Sequence, residues 1–529
     1  MIGSTAIIEF LERHDIHHIF YLPGIHTISL SKTLKTRNSN IFIGRHEANL
    51  LFMADGFART SGTVGVTIVT PGPGLGNTVS GFMEAYGANV PLLVLHIDTE
   101  RKDIGKGALH EIAEPETIFR SFTTKTIPVW ERQNLVPALD EAYHAALEPR
   151  QGPALVSIPY TFLEKEVPFH LPERRKIPVR QVVPEIPSGL DDALRDKERP
   201  VIIGGKSLML DGAESLIGEI CTTSSIPFLT TTSGKGVVNE ESAWCFGNVM
   251  QQGVVREILE RADLTIAIGT RLRRVDVHRG SLKDKDLIHV DVDTEWIDRN
   301  YRATMKISGD PMQFLTRLRD VVKGKRFGWK IDDLKKDQHK ERKALHKRSA
   351  GYKLVCLIRK VIPRDSITVW DPNLPAYWAE SYFPAFYRRT FIMPTGISPI
   401  FYGLPAAIGA KIGKPDKPCL SVCGDGGVLP TLSELSTISR YGIPVVILVY
   451  NNNSFGVLED YMKTGCTIEG SMFLQNPDFV KVAQAFGIKA KRTTSLRGLG
   501  NILRRDITWT EPFLIEFRYP CFPPPWRSR

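Results

Sequence analysis

The sequence predicts an α/β protein of three domains, each a parallel sheet flanked by helices. Three observations predict it. Apolar runs of strand length recur along the chain, at 64–69, 91–97, 154–158, 201–203, 264–268, 288–292, 367–370, 420–423, 445–450 and 513–517. Runs that are apolar throughout suit parallel strands buried on both faces. The stretches between them, such as 432–440, are long enough for crossover helices. Finally, 529 residues exceed what one hydrophobic core organises, so the chain must divide.

Two segments mark the divisions. Pro168, Pro172, Pro178, Pro184 and Pro187 crowd together around a charge cluster at 173–176. Proline continues neither a helix nor a central strand, so this segment reads as an exposed linker. The second is the stretch 323–348, rich in Lys and Arg but interrupted by Asp332, Asp333, Asp337 and Glu341. That mixture reads as a solvated linker or helix face. The expected domains are therefore 1–167, 188–320 and 350–529.

Composition excludes several classes. Hydrophobic residues make up 42% and charged residues 24%, ordinary for a soluble globular protein. No apolar run reaches about 18 residues, so no membrane span is expected. The first residues, 1–19, mix acids and histidines with apolar residues and read as a first helix rather than a signal peptide. Seven cysteines are scattered, and the close pair Cys419 and Cys423 has no second pair at zinc-site spacing. Free thiols in a reducing, cytoplasmic compartment are expected. The net charge of +10 has no reading motif or aromatic clustering beside it, so no nucleic-acid partner is expected; it can help attract an anionic ligand.

The chemistry centres on Gly424-Asp425-Gly426-Gly427, directly after the run 420–423. Glycines at a strand end let the backbone approach a phosphate, and the next helix offers its N-terminal amides. A carboxylate at the same place makes sense when a cation lies between it and the phosphates, and Mg²⁺ takes few protein oxygens plus phosphate oxygens. Asn452 follows Asp425 by 27 residues. A strand, turn, helix and next parallel strand take about 30 residues, so both side chains are expected at one C-terminal sheet edge.

Gly424-Asp425-Gly426 through Asn451-Asn452 resembles the diphosphate–Mg²⁺ signature of thiamine-diphosphate-dependent enzymes, in their acetolactate-synthase-like and 2-oxo acid decarboxylase branch. The resemblance implies a first domain that binds the cofactor's pyrimidine, a central domain, and a third that binds its diphosphate. It implies Asp425, Asn452 and the carbonyl of Ser454 as metal ligands. It continues the cofactor-binding stretch from Ser454 through Phe455, Gly456 and Val457. Glu47, in Gly44-Arg45-His46-Glu47-Ala48-Asn49, matches the glutamate that hydrogen-bonds the pyrimidine and moves the activating proton. Thr70 to Asn77, with Gly72, is similar to the turn bordering the pyrimidine, and Pro23-Gly24 belongs with it. Gly396 to Ala410 resembles the segment beneath the cofactor, where Ile400 takes the place of an apolar wedge between its two rings. The middle domain is similar more loosely, at 288–293 and 300–310. In this family the site forms between the first domain of one subunit and the third of another, which implies a homodimer or homotetramer.

The cofactor serves as the electron sink while CO₂ leaves a 2-oxo acid. Protonation then gives an aldehyde, while attack on a second carbonyl gives a ligated product. The departures from the acetolactate synthase pattern favour the first outcome. Ile25-His26-Thr27 follows Pro23-Gly24, His110-Glu111 replaces Gln-Glu, and Tyr461 stands where that pattern has tryptophan. The pattern around His26 and 109–111 resembles the 5-guanidino-2-oxopentanoate decarboxylase branch. His26 and His110 are candidate proton donors, because imidazole titrates near neutrality. Glu459 is a candidate for binding a cationic substrate group, and His46 and His96 read as structural.

The carboligase remains the alternative enzyme. An inactive cofactor-binding subunit is disfavoured by the joint presence of Glu47, Asp425 and Asn452. A nucleotide-binding module is disfavoured because 201–207 has Pro200 where a phosphate loop needs glycine, and the turn 72–77 ends in Asn77 where a dinucleotide fingerprint needs a third glycine. Synthase relatives hold FAD in the middle domain. Gly269-Thr270-Arg271 resembles part of that site, but Leu272 and Arg273 replace its acidic residues, so FAD is disfavoured.

Overall fold

The computed structural model describes residues 1–36, 40–170, 189–277, 282, 284–462 and 472–527, and the side chains of these apart from 460–462. Most of the proline-rich boundary and the side chain of Tyr461 lie outside the described residues. Among the described residues eighteen strands form three six-stranded sheets, and every pairing within them is parallel. The molecule is α/β, three such sheets with helices against them.

The first sheet contains β1 (His18–Tyr21), β2 (Asn40–Ile43), β3 (Gly65–Val69), β4 (Leu92–Asp98), β5 (Lys125–Pro128) and β6 (Pro153–Pro159), in the order β2-β1-β3-β4-β6-β5. The second contains β7 (Pro200–Gly204), β8 (Phe228–Thr230), β9 (Cys245–Asn248), β10 (Leu264–Ile268), β11 (Asp286–Asp291) and β12 (Met305–Ser308), ordered β12-β11-β10-β7-β8-β9. The third contains β13 (Ile367–Trp370), β14 (Phe391–Ile392), β15 (Cys419–Gly424), β16 (Val446–Asn451), β17 (Lys489–Thr493) and β18 (Phe513–Arg518), ordered β14-β13-β15-β16-β18-β17. The first and third sheets thus share one connectivity. The central sheet reverses direction about its first and fourth strands, the doubly wound order.

Central strands are apolar because helices cover both faces. All seven residues of β4 and all five of β3 are buried. The edge strand β17, Lys-Ala-Lys-Arg-Thr, has no buried residue. The charged stretch before the third sheet forms the helix Ile331–Arg348, which buries Leu334, Gln338 and Leu345 and leaves its charges outward.

The first and third domains meet through two helices. The helix Glu47–Ser61 is capped by His46, whose Nδ1 accepts from Ala48 N at 3.2 Å, and ends at Gly62 in the left-handed region. It lies against the helix Gly403–Gly413. A Cβ on Gly56 would stand 2.0 Å from the Ala406 carbonyl oxygen, and one on Gly409 1.7 Å from that of Met53. Glycine is needed at both positions because the backbones touch. One hydrophobic cluster therefore runs from Phe52, Met53 and Phe57 to Tyr402, Ala407 and Ile447.

Candidate functional site

On the third sheet β15 and β16 are neighbours, with Gly424 opposite Tyr450. Asp425 and Asn452 therefore leave the same edge, where each strand gives way to a turn. Asp425 is buried and opens a single helical turn, Asp425–Val428. Gly426 and Gly427 have a packing reason beside the expected approach of a phosphate. A Cβ on Gly427 would sit 2.0 Å from Asp371 Oδ2 and 2.1 Å from the Ile400 carbonyl oxygen, and one on Gly426 2.5 Å from the Phe455 ring.

Oxygen atoms converge here. Asn476 Nδ2 donates to Asp425 Oδ2 at 2.8 Å, to Asn451 Oδ1 at 3.1 Å and to Asn453 Oδ1 at 3.2 Å. Asn452 Nδ2 donates to Ser454 Oγ at 2.6 Å, and that hydroxyl donates to Glu459. Burial pushes the Asp425 carboxyl up, and the Asn476 amide opposes the shift. A cation would oppose it further, since a positive charge favours the carboxylate. Among the described residues no cluster of three His, Cys, Asp or Glu side chains could hold a metal. A carboxylate, an amide and main-chain carbonyls are instead the oxygen donors that suit Mg²⁺ shared with phosphates. The residues at this edge fit that pair of ligands. Phe455 packs on the glycine turn, and Gly456 and Val457 begin the helix Gly456–Met462 beside Asn452.

A second patch lies at the corresponding end of the first sheet. Glu47 opens its helix, and Oε2 accepts from Asn77 Nδ2 at 3.0 Å. Gly72 adopts φ +59°, and a Cβ there would press the His110 backbone at 2.8 Å. A Cβ on Gly24 would meet Thr70 Cγ2 at 2.6 Å. Pro23 and Gly24 also line a cleft of about 570 Å³ with Ile25, Ile28, Lys32 and Lys35. The turn 70–77, the Pro23-Gly24 corner, His110 and Glu47 thus form one surface.

His26 stands over it. Its ring centroid lies 5.9 Å from that of His110 and 5.4 Å from that of Tyr160, edge-on. Its Nδ1 is buried without a partner. Burial, then the charge of His110, lower its pKa. His96, on β4, bonds Ser157 Oγ at 3.0 Å and approaches Asp98 at 3.7 Å. Burial pushes His96 down to about 3 and Asp98 up to about 6, so near neutral pH the imidazole is uncharged and the contact is no ion pair.

The two patches have separate partners. Glu47 pairs with Asn77 and Asp425 with Asn476, and the described hydrogen bonds do not join them. The strap Met393–Ile400 belongs to the third-domain patch, for the Ile400 carbonyl packs on Gly427 while its side chain is 43% exposed. Gly396, in the same strap, would put a Cβ 2.2 Å from the Glu84 carbonyl oxygen. Sequence reasoning passed over Asn476, Glu84 and Glu434. No local spacing marks them, because each acts on a residue dozens to hundreds of positions away.

In the middle domain, Lys206 Nζ donates to the carbonyls of Ala88 and Asn89 at 3.1 and 2.7 Å. Arg271 donates to Asn89 Oδ1 at 3.2 Å and to the Gly87 carbonyl. These two side chains cap the C-terminal end of the helix Val79–Gly87, where orphan carbonyls accept their hydrogen bonds, and burial pulls the pKa of the Lys206 ammonium down to about 7. Lys206 and Arg271, from the loops 204–207 and 269–273, are thus engaged with the first domain.

Comparison with known proteins follows the same division. Residues 1–117 match the N-terminal TPP binding domain of thiamine pyrophosphate enzymes, residues 190–318 the central domain, and residues 375–517 the C-terminal TPP binding domain. The chain is 29% identical to a probable acetolactate synthase large subunit of Methanococcus aeolicus, over 98% of this chain and 92% of that protein. It is also 29% identical to a probable 2-ketoarginine decarboxylase of Pseudomonas aeruginosa, over 98% of this chain and 94% of the other. Its fold resembles a thiamine diphosphate-dependent 4-hydroxybenzoylformate decarboxylase from Rhodococcus jostii RHA1, with a TM-score of 0.81 at 21% identity, covering 98% of this chain and 99% of that one. Three matched domains in order, with relatives aligned along nearly the whole chain, carry one conclusion: the chain belongs to the thiamine pyrophosphate enzyme family.

Proposed function

We propose that this protein decarboxylates a 2-oxo acid without oxidation, using thiamine diphosphate and Mg²⁺ at a site completed by two chains. One observation carries the reading. Asp425 and Asn452 leave adjacent parallel strands beside a glycine turn, while Glu47 lies under the turn of Asn77 on another sheet. In this assignment Asp425, Asn452 and the Ser454 carbonyl hold the metal, and Gly424 to Gly427 with 455–457 receive the diphosphate. Gly396 and Ile400 support the rings. Glu47 holds the proton at the pyrimidine nitrogen. Thiamine diphosphate supplies the carbon nucleophile and electron sink that loss of CO₂ requires.

His26 and His110 face the reacting centre from the Glu47 side and deliver the proton that releases the aldehyde. Their meeting beside the turn 70–77, with His26 Nδ1 left without a partner, supports this outcome. Similarity to acetolactate synthase large subunits supports a second reading, ligation to a second carbonyl. Exposed Ile25, Ile28 and Leu109 on the first domain, and Ile397, Ile400 and Phe473 on the third, suit burial by a second copy in a homodimer or homotetramer. The free thiols of Cys221, Cys245, Cys356, Cys419 and Cys423 support a cytoplasmic setting. No described helix is long and apolar enough to cross a membrane.

The test is a product assay with thiamine diphosphate and Mg²⁺ over a panel of 2-oxo acids that includes pyruvate and 2-oxoarginine. CO₂ with the matching aldehyde is expected. A ligated hydroxy ketone or acetohydroxy acid would replace this reading with the second, and no CO₂ from any acid would refute both.

A further inference from the structure

Glu84 sits on the helix Val79–Gly87 of the first domain and is fully buried, at 0% exposure. Its carboxylate receives three successive main-chain amides of the third domain. Gly396 N donates to Oε1 at 2.9 Å, and Ile397 N and Ser398 N donate to Oε2 at 2.8 and 3.2 Å. Arg59 Nη2 completes the shell at 3.1 Å. Consecutive amides converging on an anion make a nest, and bonds to an ionised acceptor are the stronger kind.

The segment held this way is under strain. Ser398 has φ +56°, a region side-chain-bearing residues seldom occupy and which persists when the surroundings over-determine it. Other grips agree. Arg59 donates to the Met393 carbonyl at 3.3 Å, and Arg273 to that of Thr395. Two residues beyond Ser398 comes Ile400, whose carbonyl seats the glycine turn at Gly427.

The arrangement has a counterpart. Glu434, also fully buried, accepts from Arg45 N at 3.0 Å and Asn49 Nδ2 at 2.9 Å, at the start of the Glu47 helix. Glu84 lies in the β3–β4 connection and Glu434 in the β15–β16 connection, which correspond in the two equally ordered sheets. Their targets lie in the β14–β15 and β2–β3 connections, which correspond as well. Each outer domain thus sends a buried carboxylate to hold the other's site segment.

We infer that Glu84 is a positioning residue for cofactor binding: it fixes the strap Gly396–Ser398, and through it Ile400, without touching the cofactor. The inference rests on the proposed assignment of Gly396 and Ile400. The test titrates thiamine diphosphate, with saturating Mg²⁺, into the cofactor-stripped full-length protein, following tryptophan fluorescence and near-UV circular dichroism. Glu84→Gln is expected to weaken the affinity by about tenfold or more, because a charged acceptor of several bonds is lost, and to alter the dichroism of the bound cofactor. Ile266→Ala, in the central-domain core, should lower the melting temperature comparably yet leave the affinity within about twofold, as expected of a distant site. Ser398→Gly added to Glu84→Gln should restore part of the affinity, since glycine takes the left-handed conformation unaided.

Glu84→Asp, which keeps the charge but withdraws the oxygens, serves if the Gln variant does not fold, and it too should bind more weakly. Wild-type affinity and dichroism in either folded variant would overturn the inference. If Ile400→Ala alters cofactor binding while the Glu84 variants do not, the inference alone fails. If the wild-type protein binds no thiamine diphosphate, the proposed function fails and takes the inference with it.

Discussion

His26 and His110 are 84 positions apart, and their rings come within 5.9 Å because β1 and β4 end on one side of the first sheet. A proton donor works in its charged form, so its contribution falls as pH rises through its pKa. Burial and then His110 hold the His26 pKa low, which places that loss below the usual histidine range. His110→Asn removes the second cause. The pKa of His26 should rise, and the alkaline limb of kcat/KM should move to higher pH. An unmoved limb in that variant would remove His26 from the donor role. At this scale the sequence named both histidines as candidate donors, but it left their contact and the Asn476 amide among three oxygens unread. Those meetings are made by loops, and no periodicity encodes where a loop side chain ends.

The helices Glu47–Ser61 and Gly403–Gly413 are the elements on which the site segments are mounted, one carrying Glu47 at its start and the other following Ile400. Their contact is set by Gly56 and Gly409, so it tolerates no added atom. Gly409→Ala would bring a methyl group to the Met53 carbonyl and push the helices apart. Overpacking of this kind costs about 1–3 kcal/mol. The melting temperature should fall measurably, with weaker cofactor binding, and a variant as stable as the wild type would show that the helices can separate freely. The strands were legible where burial was complete. The runs 64–69, 91–97 and 420–423 became β3, β4 and β15 within one or two residues. Edge strands such as β2 and β17 carry mostly exposed or half-buried residues, so their composition does not stand out from the loops.

For the whole molecule the decisive feature is that the Glu47 and Asp425 patches have separate partners within one chain. If two chains complete each site, defects in the two patches should complement. Glu47→Gln and Asp425→Ala homodimers should each be nearly inactive. After random subunit exchange half of the dimers are mixed, and one of the two sites in each mixed dimer is intact. About a quarter of wild-type activity should return. No recovery after verified exchange would place both residues in one chain's site and refute the two-chain assignment.

The sequence by itself determined the class of the fold, the division into three sheets and the family. The first two follow from local chemistry, uninterrupted apolar runs and two polar boundaries; the family follows from a resemblance, that of a Gly-Asp-Gly turn after a strand and an asparagine one βαβ unit later to its signature. Tertiary structure decided the rest. It joined the first and third domains through touching glycines. It turned Lys206 and Arg271 toward the carbonyls of a first-domain helix. It gave Glu84 three amides that lie 312 to 314 residues further along the chain. A buried carboxylate is stable only where donors converge on it, and convergence over such separations is a property of the packed molecule, not of any window of its sequence.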